Sequence, residues 1–266
     1  MQVHGLLLDV EGVLVADKRY VAVQGATDFV RAARAANCPL RLITNNTTDN
    51  QPTLHEKLCR AGFDFTIDEI HTCTRVAIQR LRAHRARRCL VLGNAALRRI
   101  FSDAGFETVD AGNADAVVVG LDTELTYARL RAACDAVVTQ RAALLALHHN
   151  RIYLDADGRP APSVGAIASA IEHATQVKAE VLGKPSPDYF QSALNELGVR
   201  TSHVLVVSDD PFTDLTGAKR MGMKTAFVLS GKYDNEQVLT KIPTKERPDF
   251  VAPTIADLSL QGTIAF

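Results

Sequence analysis

An α/β fold built on parallel sheets, with one domain inserted into another, is what this sequence predicts. Three observations carry that reading. Short apolar runs alternate with helical patterns along nearly the whole chain, the signature of βαβ units. Several runs stop abruptly on charged or polar residues, as strands do when they deliver side chains to the carboxyl edge of an open sheet. The polar clusters fall in two blocks, before Asn50 and after Gly183, while Arg80 to Glu180 carries strand and helix patterns without a comparable carboxylate cluster.

The elements follow in order. Strands are expected at Leu6–Asp9, Leu40–Thr44, Leu90–Leu92, Ala116–Val119, Leu144–Leu147, Val181–Leu182, Val204–Ser208 and Thr225–Leu229, each a compact apolar run. Helices are expected at Thr27–Ala36, Leu54–Ala61, Asp68–Ala83, Tyr127–Thr139, Val164–Thr175, Pro187–Leu197 and Thr213–Met221. Thr66 and Glu69 have the spacing of a capping box that starts the third of these. The division places the core in residues 1–78 and 183–266 and the inserted domain in residues 79–182.

Composition narrows the classes of function. The 266 residues suit one large or two modest domains, and 47% are hydrophobic, enough for a buried core. Thirty basic residues balance thirty acidic ones, so no general attraction to nucleic acid or to an anionic membrane is expected. No apolar stretch reaches the roughly 18 residues of a membrane span, and the N-terminus lacks the basic start and long apolar region of a secretory signal. Cys38, Cys59, Cys73, Cys89 and Cys134 are scattered and include no C-x-x-C pair, which reads as reduced thiols in a cytoplasmic protein. Arg80, Arg82, Arg85, Arg87 and Arg88 lack interleaved aromatics and read as a solvated helix face rather than a nucleic-acid patch. No phosphate-cradling Gly-Lys-Ser/Thr loop and no G-x-G-x-x-G after a strand is present, so a dinucleotide cofactor is not expected.

Four polar stations stand at strand ends. Asp9-Val10-Glu11-Gly12 ends the first strand with two carboxylates, and Gly12 invites a bend that exposes both. Two such groups aimed at one spot repel unless a cation or proton joins them. Thr44-Asn45-Asn46-Thr47-Thr48 offers hydroxyls, amides and freed backbone N–H groups to phosphate oxygens, although turns and helix caps use the same residues. Gly183-Lys184-Pro185 holds a lysine on restricted backbone, where it aims a positive charge into a cleft or sits in a surface turn. Ser208-Asp209-Asp210-Pro211-Phe212-Thr213-Asp214 follows the apolar run Val204–Val207. There Asp209 and Asp210 suit a magnesium site, with Asp214 orienting Lys184 or a ligand from behind. Each station alone also fits ordinary turn or cap chemistry. Their order, always after a strand and with complementary charges, favours one shared site.

These four stations together resemble those of the haloacid dehalogenase superfamily, and Thr44-Asn45-Asn46, Gly183-Lys184-Pro185 and Ser208-Asp209-Asp210 are similar to its NagD-like branch (subclass IIA). The resemblance implies a Rossmann-like core with a large α/β cap of the C2 type inserted between the second and third motifs. It implies a magnesium-dependent phosphatase acting on a small phosphorylated metabolite. On that pattern Asp9 is the nucleophile, Glu11 the acid and base, and Lys184 the balancing charge. Thr44, Asn45 and Asn46 hold the phosphoryl group. Magnesium (Mg2+) is held by Asp9, the main-chain carbonyl of Glu11 and Asp209, with Asp210 and Asp214 nearby. By analogy with the cap position, His148, in the trio His148-His149-Asn150, touches the leaving group, and the cap mediates a homodimer. The bottom-up chemistry agrees, because a carboxylate nucleophile divides ester hydrolysis into two steps and needs positive charge to approach an anionic phosphate.

One residue departs from the pattern. Glu11 stands where the family usually has aspartate, and its added methylene moves the carboxyl group by about 1 Å, enough to matter in a tight site. Enolase-phosphatases of the same superfamily look similar at this start. The rival readings are a weakly active or inactive relative that binds phosphorylated ligands or protein partners, and a dehalogenase, which needs no magnesium and leaves the cluster Asp209, Asp210 and Asp214 unexplained.

Overall fold

The computed structural model describes residues 3–16, 19–154, 157 and 159–260. From the N-terminus the chain forms β1 (Gly5–Asp9), α1 (Ala26–Ala35), β2 (Leu40–Thr44), α2 (Gln51–Arg60) and β3 (Ile70–Thr72). There follow α3 (Cys73–Ala83), β4 (Arg88–Leu92), α4 (Ala95–Asp103), β5 (Glu107–Val109), β6 (Ala116–Val119), α5 (Tyr127–Thr139), β7 (Ala143–Ala146), β8 (Ile152–Leu154), β9 (Pro160–Pro162), α6 (Val164–Thr175) and β10 (Glu180–Val181). The last part holds α7 (Pro187–Leu197), β11 (Val204–Ser208), α8 (Thr216–Arg220), β12 (Lys224–Val228), β13 (Phe250–Ala252) and α9 (Ile255–Leu260).

Two compact units result. One comprises Met1–Thr44, Gln51–His71 and Lys184–Phe266, the other Asn45–Asn50 and Thr72–Gly183. Residues 72–78, which the sequence reading grouped with the core, fall in the second unit because α3 runs unbroken from Cys73 to Ala83.

The first unit is organised on a six-stranded sheet in the order β13-β12-β11-β1-β2-β3. β1 sits near its middle, parallel to β11 on one side and β2 on the other, with Leu8 opposite Val207 and Leu42. A strand flanked in this way is buried on both faces, which is why β1 and β11 are unbroken apolar runs rather than alternating ones. α1 presents Ala26, Phe29, Val30 and Ala33 to the core at helical spacing. These pack with Leu6, Leu8, Leu40, Leu42, Leu205 and Val207 in one cluster. α7 starts with proline at its first positions and stops at Gly198, the usual asymmetry of helix ends.

The second unit has its own parallel sheet, ordered β10-β7-β6-β4-β5, and its own core of Leu90, Leu92, Val117, Val119, Leu144, Val137 and Ile171. β8 and β9 form an antiparallel pair. Within this unit Arg80 pairs with Glu180 and Arg88 with Glu107, so the arginine-rich segment is partly engaged in ion pairs. No helix among the described residues is long and apolar enough to cross a membrane.

Two expected helices differ. The stretch Asp68–Ala83 is not continuous: the capping box at Thr66 and Glu69 closes a single 3-10 turn, Ile67–Glu69, and the chain then enters β3 at the sheet edge. A fresh helix begins where Thr72 Oγ1 accepts a hydrogen bond from Arg75 N at 3.1 Å. The stretch Thr213–Met221 is a π-helical turn, Pro211–Leu215, followed by the short α8. Its start is capped by Asp210 Oδ1, which accepts from Phe212 N at 3.1 Å and Thr213 N at 2.9 Å.

Candidate active site

The carboxyl ends of β1, β2, β11 and β12 bring the site together. Asp9, the last residue of β1, is buried, and its Oδ1 accepts Val10 N at 2.8 Å and pairs with Lys184 Nζ at 2.8 Å. Lys184 Nζ also pairs with Asp214 Oδ2 at 2.7 Å and donates to Ile43 O at 3.3 Å. An ammonium group has three protons to give, and these acceptors draw on them. Burial alone would lower the proton affinity of Lys184, but Asp214 and Asp9 outweigh it and hold the lysine charged far above its ordinary range. Burial pushes Asp214 upward, against the pull of Lys184.

Ser208, opposite Asp9 on the adjoining strand, completes this layer. Its hydroxyl lies 2.7 Å from Asp214 Oδ2 and 3.2 Å from Asp9 Oδ2, and it accepts Asp210 N at 3.1 Å. Having one proton, Ser208 donates it to the nearer Asp214 and leaves Asp9 Oδ2 for other partners.

A second lysine stands across the site. Lys232 N donates to Asp209 Oδ2 at 2.8 Å, and Lys232 Nζ pairs with Asp210 Oδ2 at 2.7 Å. Burial raises Asp209 to about 6 in spite of Lys232. Asp210 is buried too, but the charge of Lys232 overrides that and keeps it below the usual carboxylate range.

Glycine makes room for Asp209. A methyl group on Gly12 or on Gly231 would collide with Asp209 Oδ2. Gly12 also has a φ of 78°, which only glycine adopts without strain. Ser230 Oγ donates to Gly12 O at 2.6 Å and ties the β12 loop to the β1 turn.

The sequence-predicted residues divide between the units. Asp9, Glu11, Thr44, Lys184, Asp209, Asp210 and Asp214 lie in the first unit; Asn45, Asn46 and His148 lie in the second. The bend at Gly12 exposes Glu11 but not Asp9, because β1 ends with Asp9 still inside the sheet rim. Among the described residues the Glu11 carboxylate makes no hydrogen bond or ion pair. Thr44 N donates to Tyr189 Oη at 2.9 Å. Asn46 Oδ1 closes a local turn by accepting Thr48 N at 2.9 Å and Asp49 N at 2.8 Å. His148 is buried, and its Nδ1 accepts Asn150 N at 3.3 Å. Sequence reasoning missed Lys232 and Tyr189. For Lys232 a signal existed: Ser230-Gly231-Lys232 follows an apolar strand just as the four stations do.

The donor set suits a hard divalent cation. Among the described residues, the buried carboxyl groups of Asp9, Asp209, Asp210 and Asp214 are met by two lysines, Lys184 and Lys232, so carboxyl groups outnumber cations. Among the described residues no hydrogen bond reaches Asp209 Oδ1. Among the described residues no three or more Asp, Glu, His or Cys side chains are grouped so as to hold a metal ion by themselves. Magnesium matches such an open arrangement, since it keeps several waters and takes one or two carboxylates plus phosphate oxygens.

Known proteins resemble the chain in sequence and in fold. Residues 6–107 match a family model described as haloacid dehalogenase-like hydrolase, and residues 181–258 match a HAD-hydrolase-like model. The chain is 33% identical over 236 residues to the phospholysine phosphohistidine inorganic pyrophosphate phosphatase of Xenopus laevis, covering 87% of this chain and 85% of that protein. Among solved structures, a p-nitrophenyl phosphatase from Archaeoglobus fulgidus superposes with a TM-score of 0.88 at 25% identity, covering 98% and 100% of the two chains. NagD from E. coli gives a TM-score of 0.82 at 27% identity, covering 97% and 98%. A glycerol phosphate phosphatase from Mycobacterium tuberculosis, solved in complex with magnesium, gives 0.79 at 25% identity, covering 94% and 74%.

Proposed function

The chain belongs to the haloacid dehalogenase-like hydrolases, in their NagD-like branch, and on that premise we propose that it is a magnesium-dependent phosphatase of small phosphate monoesters. The observation that carries this reading is the buried layer in which Lys184 is held at once by Asp9 and Asp214. A lysine fixed there sets a positive charge beside the Asp9 carboxylate and lowers the repulsion between it and an incoming phosphate.

Chemistry follows in two steps. Asp9 forms a bond to phosphorus while the ester P–O bond breaks and Glu11 gives a proton to the leaving oxygen. Water then attacks the aspartyl-phosphate, Glu11 takes its proton, and inorganic phosphate and free Asp9 are regenerated. The exposed Glu11 side chain has the freedom that both proton transfers require. Asp9, Asp209 and the main-chain carbonyl of Glu11 would hold magnesium, which supplies positive charge against the phosphoryl oxygens. Asp214 and Asp210 act through the lysines they fix, Lys184 and Lys232. Thr44, Asn45 and Asn46 are the proposed phosphate ligands, and His148 the proposed leaving-group contact, on the family resemblance.

Release of phosphate from a chromogenic monoester, with and without magnesium, tests the proposal. Asp9→Asn should abolish turnover while the protein stays folded, and chelation should stop the wild type until magnesium is restored. Comparable turnover by Asp9→Asn, or indifference to chelation, would refute it.

A further inference from the structure

Tyr189 lies in the first turn of α7, five residues after Lys184, and none of its surface reaches solvent. Its ring packs on His71, with centroids 4.8 Å apart, and edge-on to Phe190 at 6.0 Å. A phenylalanine would fill that space equally well. The hydroxyl hydrogen-bonds to main-chain atoms. It accepts Thr44 N at 2.9 Å, and it lies 2.7 Å from His71 O and 3.2 Å from Thr44 O. With one proton to give, it donates to the nearer His71 carbonyl. β2 and β3 are neighbours in the sheet, so one phenol oxygen bridges the carboxyl end of β2 to β3.

We propose that Tyr189 is a positioning residue for Thr44, fixing the backbone from which the Thr44 hydroxyl reaches the phosphoryl group. The inference rests on the reading of Thr44 as a phosphate ligand. It has a specific corollary: the Thr44 N–H is committed to Tyr189, so Thr44 serves phosphate through its hydroxyl alone. Removing the phenol oxygen takes away the acceptor of Thr44 N and the donor to the His71 carbonyl. The turn at Thr44 then relaxes, and phosphate binding weakens more than the chemical step.

Steady-state kinetics with a phosphate monoester, together with inhibition by inorganic phosphate, provide the test. Tyr189→Phe should raise KM and the phosphate inhibition constant about tenfold, corresponding to roughly one lost hydrogen bond, while kcat falls less than about threefold. In a Thr44→Ala background the same substitution should change KM by less than about twofold, because the residue acts through Thr44. Leu194→Ala, a buried α7 change away from the site, should lower thermal stability without moving KM. If Tyr189→Phe does not fold, p-aminophenylalanine at position 189 keeps the ring and a donor for His71 O but offers Thr44 N–H only a weak acceptor; the same KM rise is expected. An unchanged KM in whichever variant folds, or multiplicative effects in the Thr44→Ala background, would overturn the positioning role. Asp9→Asn assayed in parallel separates the two failures: turnover there defeats the phosphatase reading itself, whereas a dead Asp9→Asn with an unmoved Tyr189 variant defeats only this inference.

Discussion

Lys184→Met is the most direct probe of the buried charge layer. The Lys184 and Asp214 side chains are each 4% exposed and that of Asp9 12%, so removing the ammonium strands two carboxylates with little access to water. Breaking a buried pair from one side costs about 3–5 kcal/mol. At about 2–4 °C per kcal/mol for a chain near this size, Tm should fall by roughly 6–20 °C. Calorimetry in chelator is the assay, because a divalent cation would otherwise replace part of the lost charge. Lys184→Met/Asp214→Asn should recover at least about half of the loss, since it removes one stranded charge. Phosphate release by Lys184→Met should fall by about 10²-fold or more, the usual cost of deleting one fixed charge-stabilising donor. A variant within about 1 °C of the wild type in chelator, where about 6 °C or more is expected, would show that Lys184 does not compensate Asp9 and Asp214.

Four further outcomes are expected. Gly12→Ala should weaken magnesium binding and stability together, because a methyl group collides with Asp209 and φ is positive; titration of activity with magnesium measures the first and Tm the second. Ser208→Ala should cost about 1–3 kcal/mol by removing the acceptor of Asp210 N and one of the donors to Asp214, which keeps Lys184; it is read as a fall in denaturant midpoint at constant slope. Glu11→Asp should preserve or raise the rate and Glu11→Gln should lower it, with a flat response to Glu11→Gln ruling out a proton role. For acid stability, burial raises Glu69, but its two-pronged pairing with Arg34 prevails and sets it below its ordinary value. A depressed carboxylate stabilises above its unfolded pKa of about 4.3 and loses that contribution as pH falls through the folded value. Glu69→Gln should therefore lose less Tm than the wild type between about pH 6 and pH 3.

The core strands were legible because burial on both faces demands unbroken apolar runs, and Leu6–Asp9 and Val204–Ser208 are such runs ending on chemistry. Asp9, Lys184 and Asp209 stood out only together, since each alone fits a turn or cap but all three follow apolar runs with complementary charge. β3 did not, since Ile70–Thr72 is too short to outweigh the helical pattern on either side, and its strand state depends on the edge of β2. Lys232 was hidden for another reason: a lysine in a Ser-Gly-Lys turn looks like any surface lysine until Asp209 and Asp210 arrive beside it. Tyr189 was less legible still. Its hydroxyl serves main-chain atoms 145 residues earlier, and a backbone group leaves no mark in composition or spacing. Asp210 caps the turn that follows it through one carboxylate oxygen and pairs with Lys232 through the other.

The pairing of β1 with β11 bears on how the protein is made. Ser208, which shares its layer with Asp9, leaves the ribosome 199 residues after it. At about 5–20 residues per second that is a wait of roughly 10–40 s. Through that interval the nascent Leu6–Leu8 segment is a greasy strand with an unpaired acid at its tip. The intervening unit, whose sheet draws only on its own strands, can close in the meantime. Chaperone demand during translation should thus concentrate on the first fifty residues, and it should end when the Val204–Ser208 strand emerges.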